Sequence, residues 1–295
     1  MKREQVAIGV DIGGTKIRAG IVGAEGVVYG EPRSIATCAK QPGEEIVQRL
    51  IALIKETLSH AGEYEVLGIG VGCTGPLDLR KGMLLEVENL PTLNNYPLLQ
   101  VLEEALHMKV KMENDANALI LAEALWGAGK DADTVLGFTL GTGIGCALIN
   151  HGTVWQGKND CAGEIWTAPY RDGILEEYVS GNAVKRLYEQ YTGKHLSGTE
   201  IAALAIAGEE AAKQVWDDFA QALAYALSWT VNMLDPQMVV IGGSIIKSAN
   251  LFWEQADTSF RRYVCRSVAD SVSLKPAALG DDAGFIGAAA LFFNE

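Results

Sequence analysis

The sequence predicts an α/β protein built as two similar lobes, and three features carry that expectation. Residues 8–22 read IGVDIGGTKIRAGIV, an apolar run broken by an aspartate, two glycines and a threonine before a second apolar run. That is the pattern of a buried strand, a tight glycine turn and a returning strand. Residues 136–150 read LGFTLGTGIGCALIN and align with the first stretch without gaps, Gly9 with Gly137, Gly13 with Gly141, Ala19 with Ala147 and Ile21 with Ile149. One unit repeated half a chain later predicts two similar lobes facing one cleft. Lastly, the buried run 65–71 delivers GCTGPLD at 72–78, a glycine- and proline-rich loop where open α/β sheets place ligands.

The chemistry of the first turn points at phosphate. Gly13 and Gly14 leave room for backbone N–H groups to approach an anion, and the Thr15 hydroxyl and Lys16 ammonium add donors. Asp11, ending the strand, is placed to hold a magnesium ion through water. The plainer alternative is an ordinary hairpin turn with a lysine in solvent, and this stretch alone does not choose between them. The repeat supports the phosphate reading without settling it: two such turns, with Gly141, Thr142 and Gly143 forming the second, would hold the two ends of a triphosphate.

Taken in order, Gly26 turns the chain into a third strand around residues 27–29. Pro42 opens a helix whose apolar Ile46, Val47, Leu50, Leu53, Ile54 and Leu58 keep helical spacing. After the strand at 65–71, the stretch KVKMENDANALILAEALWGAG at 109–129 reads as a short strand over 110–112 and a long Ala/Leu-rich helix. Asn114 or Asp115 at that junction is the residue type that caps helices. The same position lets a carboxylate at the helix mouth accept a hydroxyl proton during phosphoryl transfer.

Residues 152–158 fit the spacing of a Walker A loop, but Asn159 replaces the required Ser/Thr and polar Asn150-His151 interrupts any entering strand. This segment reads as a connector to Gly163-Glu164. Glu164 and Glu176 are either solvated surface glutamates or ligands for a polyol, each able to accept from two adjacent hydroxyls. Residues 209–234 form the longest periodic run, with Ala212, Val215, Trp216, Phe219, Leu223, Ala226, Leu227, Thr230 and Leu234 on one face. It stops at Asp235-Pro236. A strand over 238–241 leads into Gly242-Gly243-Ser244, a strand–glycine–helix junction where a flat base or ribose can lie against backbone. Small residues fill a last helix over 281–293.

DIGGTK (11–16), ENDAN (113–117), LGTGIG (140–145), AGE (162–164), LEEYVSG (175–181) and VVIGGS (239–244) fall in the order and spacing of the ROK family. The chain resembles that family from residue 5 to about 290. The resemblance implies the two-lobed actin-like, hexokinase-type ATPase fold with ribonuclease H-like lobes. It implies an N-terminal lobe over 1–116, joined by a returning C-terminal helix at about 284–295, and a C-terminal lobe over 117–283. It implies Asp115 as general base, Asn114, Glu164, Glu176 and Gly75 as sugar ligands, and Gly242 and Gly243 beside the adenosine. The family's Pro-Gly-Pro-like loop is replaced here by Cys73-Thr74 ahead of Gly75.

A second departure is larger. Zinc-containing members follow Gly-Glu with Ile-Gly-His and a cysteine cluster, whereas this chain has Ile165-Trp166-Thr167 and neither Cys nor His before Glu176. No Cys₃His site can form there, and the expectation is a protein without zinc. Trp166 fills the vacated space or turns its ring to a sugar face, with packing slightly favoured.

The remaining numbers exclude partners. A net charge of −13 without a Lys/Arg cluster argues against nucleic acid, while ATP binding survives because N–H groups and magnesium handle a triphosphate. No apolar run approaches a membrane span, and residues 1–10 lack a signal-peptide core. Five scattered cysteines without C-x-x-C fit reduced thiols in the cytoplasm. The resulting expectation is an ATP- and Mg²⁺-dependent hexose kinase acting on C6, glucose being the default monosaccharide. Fructose, mannose, allose, N-acetylmannosamine and β-glucosides stay open, and the family implies a homodimer. A repressor of this family needs a helix-turn-helix ahead of the first turn, and only Met1 to Gln5 precede the strand. A non-catalytic ATPase or sugar sensor would bind ATP without sugar-dependent ADP release; Asn114, Asp115, Glu164 and Glu176 speak against it.

Overall fold

A computed structural model describes residues 3–293. The first half runs β1 (Gln5–Ile12), β2 (Lys16–Gly23), β3 (Val28–Ala36), α1 (Gly43–Ser59), β4 (Glu65–Cys73), β5 (Leu77–Asp78), β6 (Met83–Leu84), α2 (Leu98–Leu106), β7 (Val110–Asn114) and α3 (Asp115–Trp126). Next come β8 (Thr134–Leu140), β9 (Ile144–Asn150), β10 (Thr153–Val154), β11 (Pro169–Tyr170) and β12 (Gly173–Ile174). The rest is α4 (Gly181–Thr192), α5 (Gly198–Ile206), α6 (Glu210–Leu234), β13 (Met238–Gly242), α7 (Trp253–Tyr263), α8 (Arg266–Ser271), β14 (Ser273–Pro276) and α9 (Ala283–Ala290).

Two compact units divide the chain. Unit 1 takes everything up to Asp131, then Leu148–Ala162 and the chain from Ala278; unit 2 takes Ala132–Ala147 and Gly163–Ala277. The boundary expected at 116 therefore lies inside unit 1. The reason is packing: α3 lies against α9 so closely that a Cβ on Gly287 would sit 1.7 Å from the Ala118 carbonyl oxygen. The short connector through β10 also counts with unit 1, a detour that no periodicity marks.

Unit 1 is organised on a sheet of order β3–β2–β1–β4–β7, with β1, β4 and β7 parallel and β2 and β3 antiparallel. Strand β1 is buried on both faces, which is why it reads as a continuous apolar run. Val6, Ile8, Val10 and Ile12 join Ile46, Leu50 and Ile54 of α1 in one core. Ala7 belongs to a second cluster with Phe285, Ile286 and Ala289 of α9, where small residues admit the helix backbone. Strand β3 runs to Ala36, well past the expected residue 29, because it stays paired to β2.

Unit 2 carries β8, β13 and β14 side by side and parallel, in the order β8–β13–β14. Helix α6 buries the face expected for it, with Leu234 half-buried at its end. Its Trp216 and Phe219 pack with Phe252 at ring separations of 5.0–5.9 Å, so these aromatics are core. After β13 the chain enters a 3₁₀ helix, Ser244–Leu251, at the strand–glycine–helix junction. The last helix is shorter than predicted, since Gly280–Asp282 is a 3₁₀ turn and α9 ends at Ala290. Residues 294–295 of the expected returning helix, like Met1 and Lys2, lie outside the described residues. Among the described residues no helix is long and apolar enough to cross a membrane. None of the five cysteines is in a disulfide, and Cys73 and Cys146 are buried.

Candidate functional site

Parallel register collects the unit 1 residues. Asp11 pairs with Gly72 and Gly72 with Glu113; one step on, Ile12 pairs with Cys73 and Cys73 with Asn114. Thus Asp11, the loop leading to Gly75, and Asn114-Asp115 all lie at the C-terminal ends of three adjacent strands, where sheets of this class bind ligands. Gly75 joins Pro76 through a cis peptide bond.

The turn after β1 is braced from a distance. Gly13 N–H donates to Lys16 O at 3.0 Å, while the buried Thr37 donates its hydroxyl to Gly13 O at 2.6 Å and its N–H to Thr15 O at 2.9 Å. The carbonyls are thereby occupied, and the N–H groups of Gly14 and Thr15 make no hydrogen bond among the described residues. Thr15 and Lys16 are exposed. The geometry suits an anion.

Asn114 is the N-cap of α3, its side-chain oxygen accepting from Ala116 N at 2.9 Å and Asn117 N at 3.3 Å. Asp115 is the first helical residue, half-buried, with Oδ1 accepting from Ala116 N at 2.8 Å. The junction thus holds a capping amide and, one residue on, a carboxylate at a helix N-terminus that favours negative charge. Beneath them lies Glu113, a buried carboxylate that accepts from Asn114 N at 2.8 Å, Asn117 Nδ2 at 2.9 Å and Gln156 Nε2 at 2.8 Å. Burial pushes the Glu113 carboxyl above its usual range, and these donors draw it back.

Asp11 is pushed up from 3.8 to about 6, first by burial and then by the neighbouring Asp115 carboxylate, against the pull of Arg18 and Lys16. Its carboxylate packs on the start of α9, where a Cβ on Gly284 would lie 2.7 Å from Oδ2. Arg18 fastens that end of the helix with an ion pair to Asp282 at 2.5 Å. The Asp11 carboxylate is the donor type that a hydrated divalent cation takes; magnesium ordinarily takes one or two carboxylates and keeps its waters. Among the described residues no group of three or more His, Cys, Asp or Glu could hold a metal.

Unit 2 builds a parallel arrangement. Gly141 N–H donates to Gly143 O at 3.0 Å, and the carbonyls of Gly141 and Thr142 accept from Gly181 N at 2.7 Å and Asn182 N at 3.3 Å. Again the middle N–H groups, here of Thr142 and Gly143, make no hydrogen bond among the described residues. Glu176, half-buried, accepts from Ile144 N at 3.0 Å through Oε2, so the second glutamate braces the second glycine turn. Gly242, ending β13, pairs with Thr139 of β8, which brings Gly242-Gly243 beside the same turn. Glu164 is exposed and bonds Trp166; Trp166 itself packs on the unit 2 core, while Thr167 points to solvent. The brace from Thr37, the bond between Glu113 and Gln156 and the brace from Asn182 are not marked in the sequence, because each joins ordinary residue types distant in the chain.

The ROK family model matches residues 7–295. The chain is 31% identical over 309 residues to an N-acetyl-D-glucosamine kinase of Haemophilus influenzae, covering 97% of this chain and 99% of that one. It is 29% identical over 307 residues to a glucokinase of Halalkalibacterium halodurans, covering 95% and 92%. It is similar in structure, with a TM-score of 0.83 and 28% identity over 97% and 98% of the chains, to a ROK family glucokinase from Streptomyces griseus in complex with glucose and AMPPNP. The fold is accordingly the two-lobed actin-like ATPase fold of ROK sugar kinases. By its sequence match over nearly its whole length, the chain belongs to the ROK family.

Proposed function

We propose that the chain transfers the γ-phosphate of ATP to the C6 hydroxyl of a hexose, with Asp115 as general base. Family membership and close relatives make it an ATP-dependent sugar kinase; the sugar, the hydroxyl and the residue roles are what is proposed. The observation that carries it is the seating of Asp115 at the mouth of α3, on the strand edge that also bears Asp11 and the first glycine turn. A carboxylate there takes the hydroxyl proton as the oxygen attacks phosphorus.

The N–H groups of Gly14 and Thr15 with Lys16, and those of Thr142 and Gly143, bind phosphate oxygens. Gly242 and Gly243 lie against the adenosine, and Gly75, Asn114, Glu164 and Glu176 take sugar hydroxyls. Asp11 holds magnesium through water, and the ion supplies charge neutralisation on the phosphates. The relatives divide between glucose and N-acetylglucosamine by name, so both head the list, ahead of fructose, mannose, allose, N-acetylmannosamine and β-glucosides. A coupled ADP-release screen over these sugars tests the reading, which requires one of them to raise ADP formation well above the sugar-free rate. A sugar-independent rate throughout leaves only the ATPase or sensor.

Asp11 yields a prediction of its own. From its ordinary 3.8 to about 6, the folded chain keeps a proton that the unfolded chain has lost. Stability from this group is therefore present at low pH and lost as pH rises through about 6. That gap corresponds to roughly 3 kcal/mol. Asp11→Asn is expected to raise Tm above pH 6, to flatten its pH dependence, and to abolish stabilisation by MgCl₂. Thermal scans from pH 4.5 to 8 check this, and identical profiles for variant and parent would free Asp11 of the metal role.

A further inference from the structure

Glu164 is exposed, yet it is not left to wander. Gly163, with φ of 90°, is pressed so near β9 that an added Cβ would lie 2.0 Å from the Cys146 carbonyl oxygen, which seats the turn. Two residues on, Trp166 in the 3₁₀ turn Ile165–Thr167 donates its indole Nε1–H to Glu164 Oε2 at 2.5 Å. The indole ring is half-buried and packs on the unit 2 core, so packing holds the donor in place. Glu164 occupies the N-cap position of that turn, but its side chain caps nothing. The indole bond is the one hydrogen bond its carboxylate makes among the described residues.

We propose that Trp166 is a positioning residue for sugar recognition: its indole N–H fixes the Glu164 carboxylate, commits Oε2, and leaves Oε1 facing outward to accept a sugar hydroxyl. The inference rests on the reading of Glu164 as a sugar ligand. A free glutamate loses more rotamer freedom on ordering than most side chains, and a ligand that binds an already ordered carboxylate is spared that loss. The indole is a neutral donor without acceptor capacity. It therefore only donates to the carboxylate and cannot compete for the hydroxyl proton. The exposed Thr167 hydroxyl, with no partner among the described residues, offers nothing comparable. The arrangement belongs to this chain's own Ile165-Trp166-Thr167.

Trp166→Phe keeps a ring for packing and deletes the donor, so it separates positioning from core filling. Steady-state assays with the sugar preferred in the ADP screen would compare it with Glu164→Gln and the double variant. The expected result is a sugar KM raised about 5-fold, the order of one typical net hydrogen bond, with kcat and the KM for ATP within about twofold. In the Glu164→Gln background the same change adds less than about 1.5-fold. An unchanged sugar KM, or an equal increase in both backgrounds, overturns the proposal. Should the parent protein phosphorylate no sugar, the kinase reading falls by itself. The ¹⁵N-indole spectrum then decides: the resonance lost in Trp166→Phe must shift in Glu164→Gln, and one that stays put refutes the contact.

Discussion

Asp115→Asn is expected to lower kcat by at least ~100-fold while the dissociation constant for sugar stays within a few-fold. The substitution is nearly isosteric, and its side-chain oxygen can still accept from Ala116 N, as Oδ1 does at 2.8 Å. Losing a negative charge from the first turn of α3 costs on the order of 0.3–1 kcal/mol of helix stabilisation. Removing a like charge from beside Asp11 offsets that loss, because Asp115 is the second cause of the raised Asp11 carboxyl. Folding is therefore preserved and only proton acceptance is lost. Coupled ADP-release kinetics with calorimetric titration of sugar would measure both quantities, and near-normal turnover would remove Asp115 from its role.

The largest expected stability effect comes from one methyl group far from any ligand. Gly70 lies in β4 with its α-hydrogen against α9, and a Cβ there would stand 1.8 Å from Ala288 O and 2.4 Å from Ala288 C. The obstruction is backbone and has no rotamer to retreat into. Helix α9 cannot back away freely either, since Gly287 on its other side touches the Ala118 carbonyl. Gly70→Ala should cost about 3–5 kcal/mol, in the tail of single-mutant effects. At this chain length Tm should fall by on the order of 10 °C. Gly198→Ala is the control, a helical glycine with nothing within 4 Å of its added carbon, expected to stay within about 0.5 kcal/mol. Equal Tm values for the two variants would contradict the packing described. The start of α9 also rests on Asp11, so residual folded Gly70→Ala protein should bind magnesium more weakly.

The sequence disclosed those features whose causes are local. The glycine turns at 13 and 141 sit between apolar runs that strand pairing requires, and the Asn114-Asp115 junction carries both a capping amide and a carboxylate within two residues. Helix α6 was legible from its apolar face and its Asp-Pro stop. What stayed hidden depends on contacts across the chain. Nothing near Thr37 marks it as the brace of a turn 24 residues earlier. The oxygen that Glu176 lends to Ile144 N, and the one that Trp166 engages on Glu164, follow from tertiary placement. The reach of unit 1 to Asp131 reflects how α3 meets α9, where Gly287 admits the carbonyl of Ala118. Trp166 packs on the unit 2 core, and its polar edge bonds Glu164, a contact that no residue pattern in 164–167 marks.

One proton carries the proposed reaction: the hydrogen of the C6 hydroxyl, which Asp115 would take from that oxygen as it attacks phosphorus. The most direct measurement compares ADP release with the preferred hexose and with its 6-deoxy analogue, the phosphorylated product located by ³¹P–¹H correlation. A phosphate on C6, formed one for one with ADP, and no release above the sugar-free rate with the deoxy sugar is the predicted result. Phosphate on any other carbon, or equal ADP release from both sugars, would contradict it.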